Sequence, residues 1–160
     1  MGFDALGSLH LLAAGAALAL GTAVAVSPKG TATHRAIGHS YLGAMVALNL
    51  TALLIYDLSG RWNLFHFAAL VSLATILLGW RAARRRRPGW RLAHGTWMLW
   101  NYVGLLCATT SELVVRVPGL VRGPASFGIA IGVASMLTAA VGGFLIHRAV
   151  ARIPPGPPRA

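Results

Sequence analysis

The charges of this chain are gathered into clusters, and between the clusters lie five runs that are almost free of charge. They cover Leu6 to Val26, Ala36 to Asp57, Asn63 to Ala82, Arg91 to Glu112 and Ser126 to Ile146. Each is about the twenty residues that a helix needs to cross ~30 Å of hydrocarbon, and too long for a strand. In lipid a spanning segment must satisfy its own backbone hydrogen bonds, so the runs are read as helices. Ser27-Pro28-Lys29-Gly30, Ser59-Gly60, Pro88-Gly89 and the stretch Pro118 to Pro124 break them apart. The expected architecture is all-α: a polytopic membrane protein with a five-transmembrane-helix bundle. Residues 1–150 form a single integral membrane domain, and 151–160 a Pro-rich, disordered cytoplasmic tail.

The charge balance taken alone points elsewhere. Fourteen Lys and Arg against three Asp and Glu give a formal charge of +11, which in a soluble chain would suit a nucleic-acid partner. A hydrophobic content of 56% and a mean hydropathy of +0.67 exclude that reading, and no nucleic acid is expected. The charges instead set orientation. Eleven of the fourteen fall in the first loop, the third loop and the tail: Lys29, Arg35, Arg81, Arg84 to Arg87, Arg91, Arg148, Arg152 and Arg159. The other side holds Arg61, Arg116 and Arg122 with the acids Asp4, Asp57 and Glu112. By the positive-inside rule the N-terminus lies outside and the C-terminus in the cytoplasm. Arg81, Arg84, Arg85, Arg86, Arg87 and Arg91 would draw anionic lipid, while Trp62, Trp80, Trp90, Trp97 and Trp100 form an aromatic belt near helix ends.

Ala23-Val24-Ala25 resembles a signal-peptidase site, but no basic residue precedes the apolar run and Lys29 follows it, so a retained helix is expected. Cys107 is the one cysteine, which excludes an intrachain disulfide, a cysteine zinc cluster and covalent c-type haem attachment. Small residues recur every four positions at Ala13, Ala17, Gly21 and at Ser135, Ala139, Gly143, with Gly128 and Gly132 as a GxxxG. Such stripes let helix backbones approach closely, within the chain first of all, or else in a homo-oligomer or around a flat cofactor.

The chemistry rests on four of the six histidines. His39 and His94 each lie about one turn past the cytoplasmic start of an outward-running helix. His10 and His66 each lie about one turn past the outer start of an inward-running one. Two layers result, separated by about 18 Å along the membrane normal. Paired neutral imidazoles can fill both axial positions of a haem iron, leaving a one-electron carrier. Gly38, Gly43 and Gly95, and Ala13, Ala14 and Ala69, leave room beside these layers; Arg35, Arg91, Arg61 and Arg116 are candidate propionate partners. His39, His94, His10 and His66 are therefore the candidate cofactor-binding residues, as haem-iron ligands for haem b. The bland alternative is histidine hydrogen-bonded at the interface for packing alone, the reading given to His34 and His147.

Asn49 and Asn101 lie near mid-depth and are expected to bond each other or the backbone. Asp57 with Arg61, and Glu112 with Arg116, are spaced four apart as helical ion pairs. No group of nucleophile, base and oxyanion donor converges at one depth, so no catalytic residue is assigned beyond electron transfer. Three functions follow: a b-type haem transmembrane electron carrier; a non-catalytic subunit or assembly factor of a larger membrane complex, packing through its Ala/Gly faces; and a small transporter, which the absence of central charges disfavours.

Three blocks carry a resemblance: His34-Arg35-x-x-Gly38-x-x-Tyr41 on the second helix, Phe65-His66 on the third, and His94-x-Thr96-Trp97-Met98 with Tyr102 on the fourth. Through them the stretch from Gly30 to Arg116 resembles a family of predicted bacterial membrane proteins known only as a domain of unknown function. Where that family usually carries basic residues after the fourth-helix histidine, this chain has Gly95-Thr96. The resemblance implies a multi-pass topology in a cell inner membrane and no established activity. The two-layer histidine pattern is also similar in architecture to that of two-haem b-type transmembrane cytochromes, without a match of sequence.

Overall fold

Each apolar run folds as one helix in the computed structural model, which describes residues 5–56 and 60–151. The helices are α1 (Ala5–Val26), α2 (Ala32–Leu54), α3 (Leu64–Arg85), α4 (Trp90–Val114) and α5 (Pro124–Val150), and the described residues contain no strand. Four of them, α1, α2, α3 and α5, are long and apolar enough to cross a membrane. The fourth helix, counted among five spans from sequence, is long enough, but His94, Asn101, Thr109, Thr110 and Glu112 lower its apolarity. The helices also overrun several of the apolar runs. α2 starts four residues before Ala36 and α5 ends four residues after Ile146, because capping and not hydropathy decides where a helix stops.

The ends have identifiable causes. Lys29 closes α1, its ammonium donating to the carbonyls of Val24 (2.9 Å), Ala25 (2.6 Å) and Ser27 (3.0 Å). A cation there suits the negative end of the helix dipole, and partial burial holds the amine below the ordinary lysine value. Thr31 starts α2, its hydroxyl oxygen accepting from the His34 backbone N–H at 3.0 Å. α3 ends where Arg86 takes a left-handed conformation (φ 46°), and Gly89 (φ 77°) reverses the chain into α4. Pro124 opens α5, and the Ser126 hydroxyl accepts from the N–H groups of Arg122 and Gly123. Asp4, the Asp57–Arg61 pair, Ser59, Arg152 and the Pro-rich tail lie outside the described residues, or depend on residues that do.

The chain divides into two compact units, Met1–Ile76 and Leu77–Ala160. In the first, α1 and α2 form an antiparallel hairpin. The buried positions of α1 are Ala13, Ala17 and Gly21, the small-residue stripe read from sequence, so that stripe is spent inside the unit. From α2, Tyr41, Met45, Leu48 and Asn49 are buried along one face. Asn49 donates to the Met45 carbonyl at 2.7 Å and to the Ser72 hydroxyl of α3 at 3.1 Å, one of the two bonding modes expected of it.

In the second unit α4 and α5 form another antiparallel hairpin, with hydroxyl pairs Thr110–Thr138 and Ser111–Ser135 at 3.0 Å each. The Cys107 thiol points to the Ser135 carbonyl at 3.5 Å. The helices approach closely at Gly142, where an added Cβ would stand 2.5 Å from a methyl of Val103. Gly143 faces the Trp100 ring. Gly128 and Gly132 meet nothing within 4 Å, so the GxxxG of α5 lies off the seam. The end of α3 reaches α4 through Gly79, whose missing Cβ makes room for Met98.

Candidate functional site

Each candidate histidine makes a hydrogen bond through its Nδ1, and where the partner is a carbonyl its identity fixes the proton. In the first unit His10 of α1 lies 2.9 Å from the Thr51 hydroxyl of α2. The Thr51 oxygen also lies 2.9 Å from the carbonyls of Ala47 and Leu48, so its single hydrogen goes to one of these or to His10, and His10 Nδ1 donates to Thr51 in the first case and accepts from it in the second. His39 Nδ1–H donates to the Arg35 carbonyl one turn back, at 2.8 Å, and the ring is exposed. In the second unit His94 Nδ1–H donates to the carbonyl of Gly79 on α3, at 2.9 Å. A carbonyl has no proton to give, so in the neutral rings of His39 and His94 the acceptor nitrogen is Nε2. His39 and His94, joined as one layer by depth in the sequence, belong to different units.

His66 is the most enclosed of the four, 1% exposed at the first turn of α3. Asn63 explains its position. The Asn63 side-chain oxygen accepts from the Phe65 backbone N–H at 2.9 Å and thereby caps α3. The same oxygen lies 3.1 Å from His66 Nδ1, and the Asn63 backbone N–H donates toward that nitrogen at 3.3 Å, so Asn63 meets either tautomer of the ring, accepting from Nδ1–H in one and donating to Nδ1 in the other. The rings of Tyr56 and Trp62 flank the imidazole at 4.7 and 5.1 Å between centroids. His66 Nε2 is fully buried and has no hydrogen-bond partner among the described residues. A buried polar atom left without a partner forfeits about 1–3 kcal/mol, so it marks a position with an unmet need.

Sequence reasoning found the imidazoles and missed what holds them. Hydropathy gives Asn63 only as the start of an apolar run and attaches no role to Thr51. The spacing Asn63-x-x-His66 is a readable signal, since an N-cap side chain and the residue three further on reach each other in capping boxes. The bond from His94 to Gly79 has no such signal, because fifteen residues and a turn separate the partners. His34, assigned to the interface, has its Nδ1 3.1 Å from the Ser27 hydroxyl, and His147 is exposed near the end of α5.

The arginines considered for propionates have other partners on the protein. Arg35 donates to the Gly30 carbonyl at 3.0 Å, Arg116 pairs with Glu112 as its spacing predicts, and Arg91 stacks over Trp90. Among the described residues no three of His, Cys, Asp and Glu come together as a metal-binding group. A groove of about 630 Å³ runs beside the α4–α5 seam, lined by residues such as Thr110, Val114, Ile129 and Val133, and no histidine borders it. Two imidazoles and one iron need no such cluster, so the chemistry open to these side chains is that of Nε2 as a neutral donor or hydrogen-bond acceptor.

No curated protein and no solved structure gives a significant match to this chain. One family model does match, over residues 7–153, a range that takes in all five helices, the four histidines and every block that carried the resemblance, and extends well beyond Gly30 to Arg116. Its description is "Predicted membrane protein", and no activity is attached to it. With apolar helices of spanning length and a match over nearly its whole length, the chain belongs to the DUF2306 family of multi-pass membrane proteins of unknown function.

Proposed function

We propose that this protein is a transmembrane electron carrier of the b-haem type, spanning a cell inner membrane five times with the N-terminus outside and the C-terminus in the cytoplasm. The observation that carries this reading is the direction of the histidines. His39 and His94 turn Nδ1–H to a backbone carbonyl, which makes Nε2 the donor nitrogen, as in proteins whose ligating imidazoles are oriented by a second hydrogen bond, and the Nδ1 atoms of His10 and His66 also lie within hydrogen-bond distance of a side-chain oxygen. The buried Nε2 of His66, without a hydrogen-bond partner among the described residues, supports it further, since a metal bond would satisfy that atom. Neutral imidazole nitrogens are ligands that a haem iron takes, and a haem held by these histidines would supply a one-electron couple. In the proposal His10 and His66 serve an outer layer and His39 and His94 an inner one. The carbonyls of Arg35 and Gly79 keep His39 and His94 in the required tautomer, and Thr51 and the Asn63 side-chain oxygen would do so for His10 and His66 by accepting from Nδ1–H. Tyr56 and Trp62 exclude water from His66.

The experiment is a dithionite-reduced minus air-oxidised spectrum of the full chain, purified in mild detergent with haem supplied. It is repeated for His10→Ala, His66→Ala, His39→Ala and His94→Ala. Sharp b-type bands, weakened pairwise by the outer and the inner substitutions, are expected. A flat spectrum from helical, haem-supplied protein would sink the proposal.

One observation favours a second reading. The open surroundings of Gly128 and Gly132 leave a small-residue face on α5 for another helix, as a non-catalytic subunit or assembly factor of a larger membrane complex, or a homo-oligomer, would need. On that reading the protein is colourless, its histidines tolerate substitution, and Gly128→Leu abolishes association measured by cross-linking.

A further inference from the structure

Six arginines stand within eleven positions at the junction of α3 and α4, and among the described residues they have no carboxylate partner. The one described acid is Glu112, which lies about 30 Å along α4 from Arg91 and is paired with Arg116. A helix C-terminus carries about half a negative charge, which accounts for one or two cations there and not for six. The arrangement on α3 is also ordered. Leu77, Trp80, Arg81, Arg84 and Arg85 line one groove of about 480 Å³. They share one face of the helix, with apolar Leu77 at one end and guanidiniums at the other, over about 12 Å. Arg84 is fixed over the Trp80 ring at 5.2 Å, so one guanidinium is held in place by the indole and does not sweep through solvent. The charged end is extended by Arg86 and Arg91, which both stack on Trp90, at 5.7 and 5.6 Å. Arg86 does so from a left-handed backbone conformation that a residue with a Cβ rarely adopts.

We infer that this groove is a binding site for one anionic phospholipid, its phosphodiester held by Arg81, Arg84 and Arg85, its glycerol region on Trp80 and an acyl chain along Leu77. The amphiphilic order of the groove is what selects a lipid over other polyanions. A free phosphate has no use for Leu77, which is 60% exposed, and a nucleic acid would need the cationic face to continue where the groove turns apolar. Guanidinium forks match phosphate oxygens in pairs, and an indole beside them suits the headgroup boundary. The site is independent of any haem.

Native mass spectrometry of the full chain in neutral detergent tests this, with titrations of phosphatidylglycerol and of phosphatidylcholine bearing the same acyl chains. The wild type is expected to bind phosphatidylglycerol at least about tenfold more tightly than phosphatidylcholine. Combined Arg81→Ala, Arg84→Ala and Arg85→Ala substitution is expected to remove that preference, with helical content checked by circular dichroism. Trp80→Ala keeps every charge and should still weaken binding severalfold, which a diffuse cationic surface would not register; Arg148→Ala should leave binding unchanged. Equal binding of the two lipids, wild-type affinity in the Trp80→Ala protein, or displacement of the lipid by millimolar inorganic phosphate or by an oligonucleotide would each overturn the inference.

Discussion

At position 142 one added carbon has nowhere to go, because a Cβ there would overlap both methyls of Val103. Gly142→Ala is expected to destabilise the α4–α5 hairpin by about 1–3 kcal/mol, the range for overpacking a tight contact. Gly128→Ala, in open space on the same helix, should change stability by less than about 0.5 kcal/mol. Both are measurable as shifts of the unfolding midpoint in mixed detergent micelles, and equal effects would show that the contact is not formed. The small-residue stripes were legible in the sequence, but their rotation was not. Ser135, Ala139 and Gly143 recur every four positions, whereas of the two adjacent glycines it is Gly142 that has the less room, because periodicity fixes a face without fixing which edge of it a partner meets. The histidines show the same division. Their positions could be read from the chain, but the partners of His10 and His94, Thr51 and the Gly79 carbonyl, stand on neighbouring helices and could not.

Among the elements, the helix ends illustrate how local chemistry overrides hydropathy. Ala32 to Arg35 are helical although they precede the apolar run, since Thr31 supplies the cap. Thr31→Ala should cost about 1 kcal/mol, with amide exchange in the first turn of α2 rising accordingly. α4 is the element whose sequence reading was least secure in physical terms. Its buried Asn101 and Ser111 lower its apolarity, and Ser111 finds its partner on α5. In a glycosylation-mapped insertion assay, α4 alone is expected to insert poorly and the α4–α5 hairpin efficiently. Efficient insertion of α4 alone would show that its polar groups need no partner helix.

For the whole molecule, five helices and a membrane location could be read from length, apolarity and charge, while the grouping into two units could not, because hydropathy says which segments enter lipid and nothing about which of them pair. Orientation is a matter of where the cations lie. In a Cys107→Ser background, Arg122→Cys is expected to react with an impermeant maleimide in intact cells and Arg87→Cys only after the membrane is opened. The opposite pattern would reverse the orientation, and labelling of both would break it. Over evolutionary time the contact between Gly142 and Val103 imposes an order of events. A lineage in which Val103 first shrinks to alanine can afterwards accept alanine at 142. A lineage that takes the same two steps in the other order must pass through an overcrowded intermediate, so among descendants the two sites should drift as a linked pair, with the larger residue never present at both.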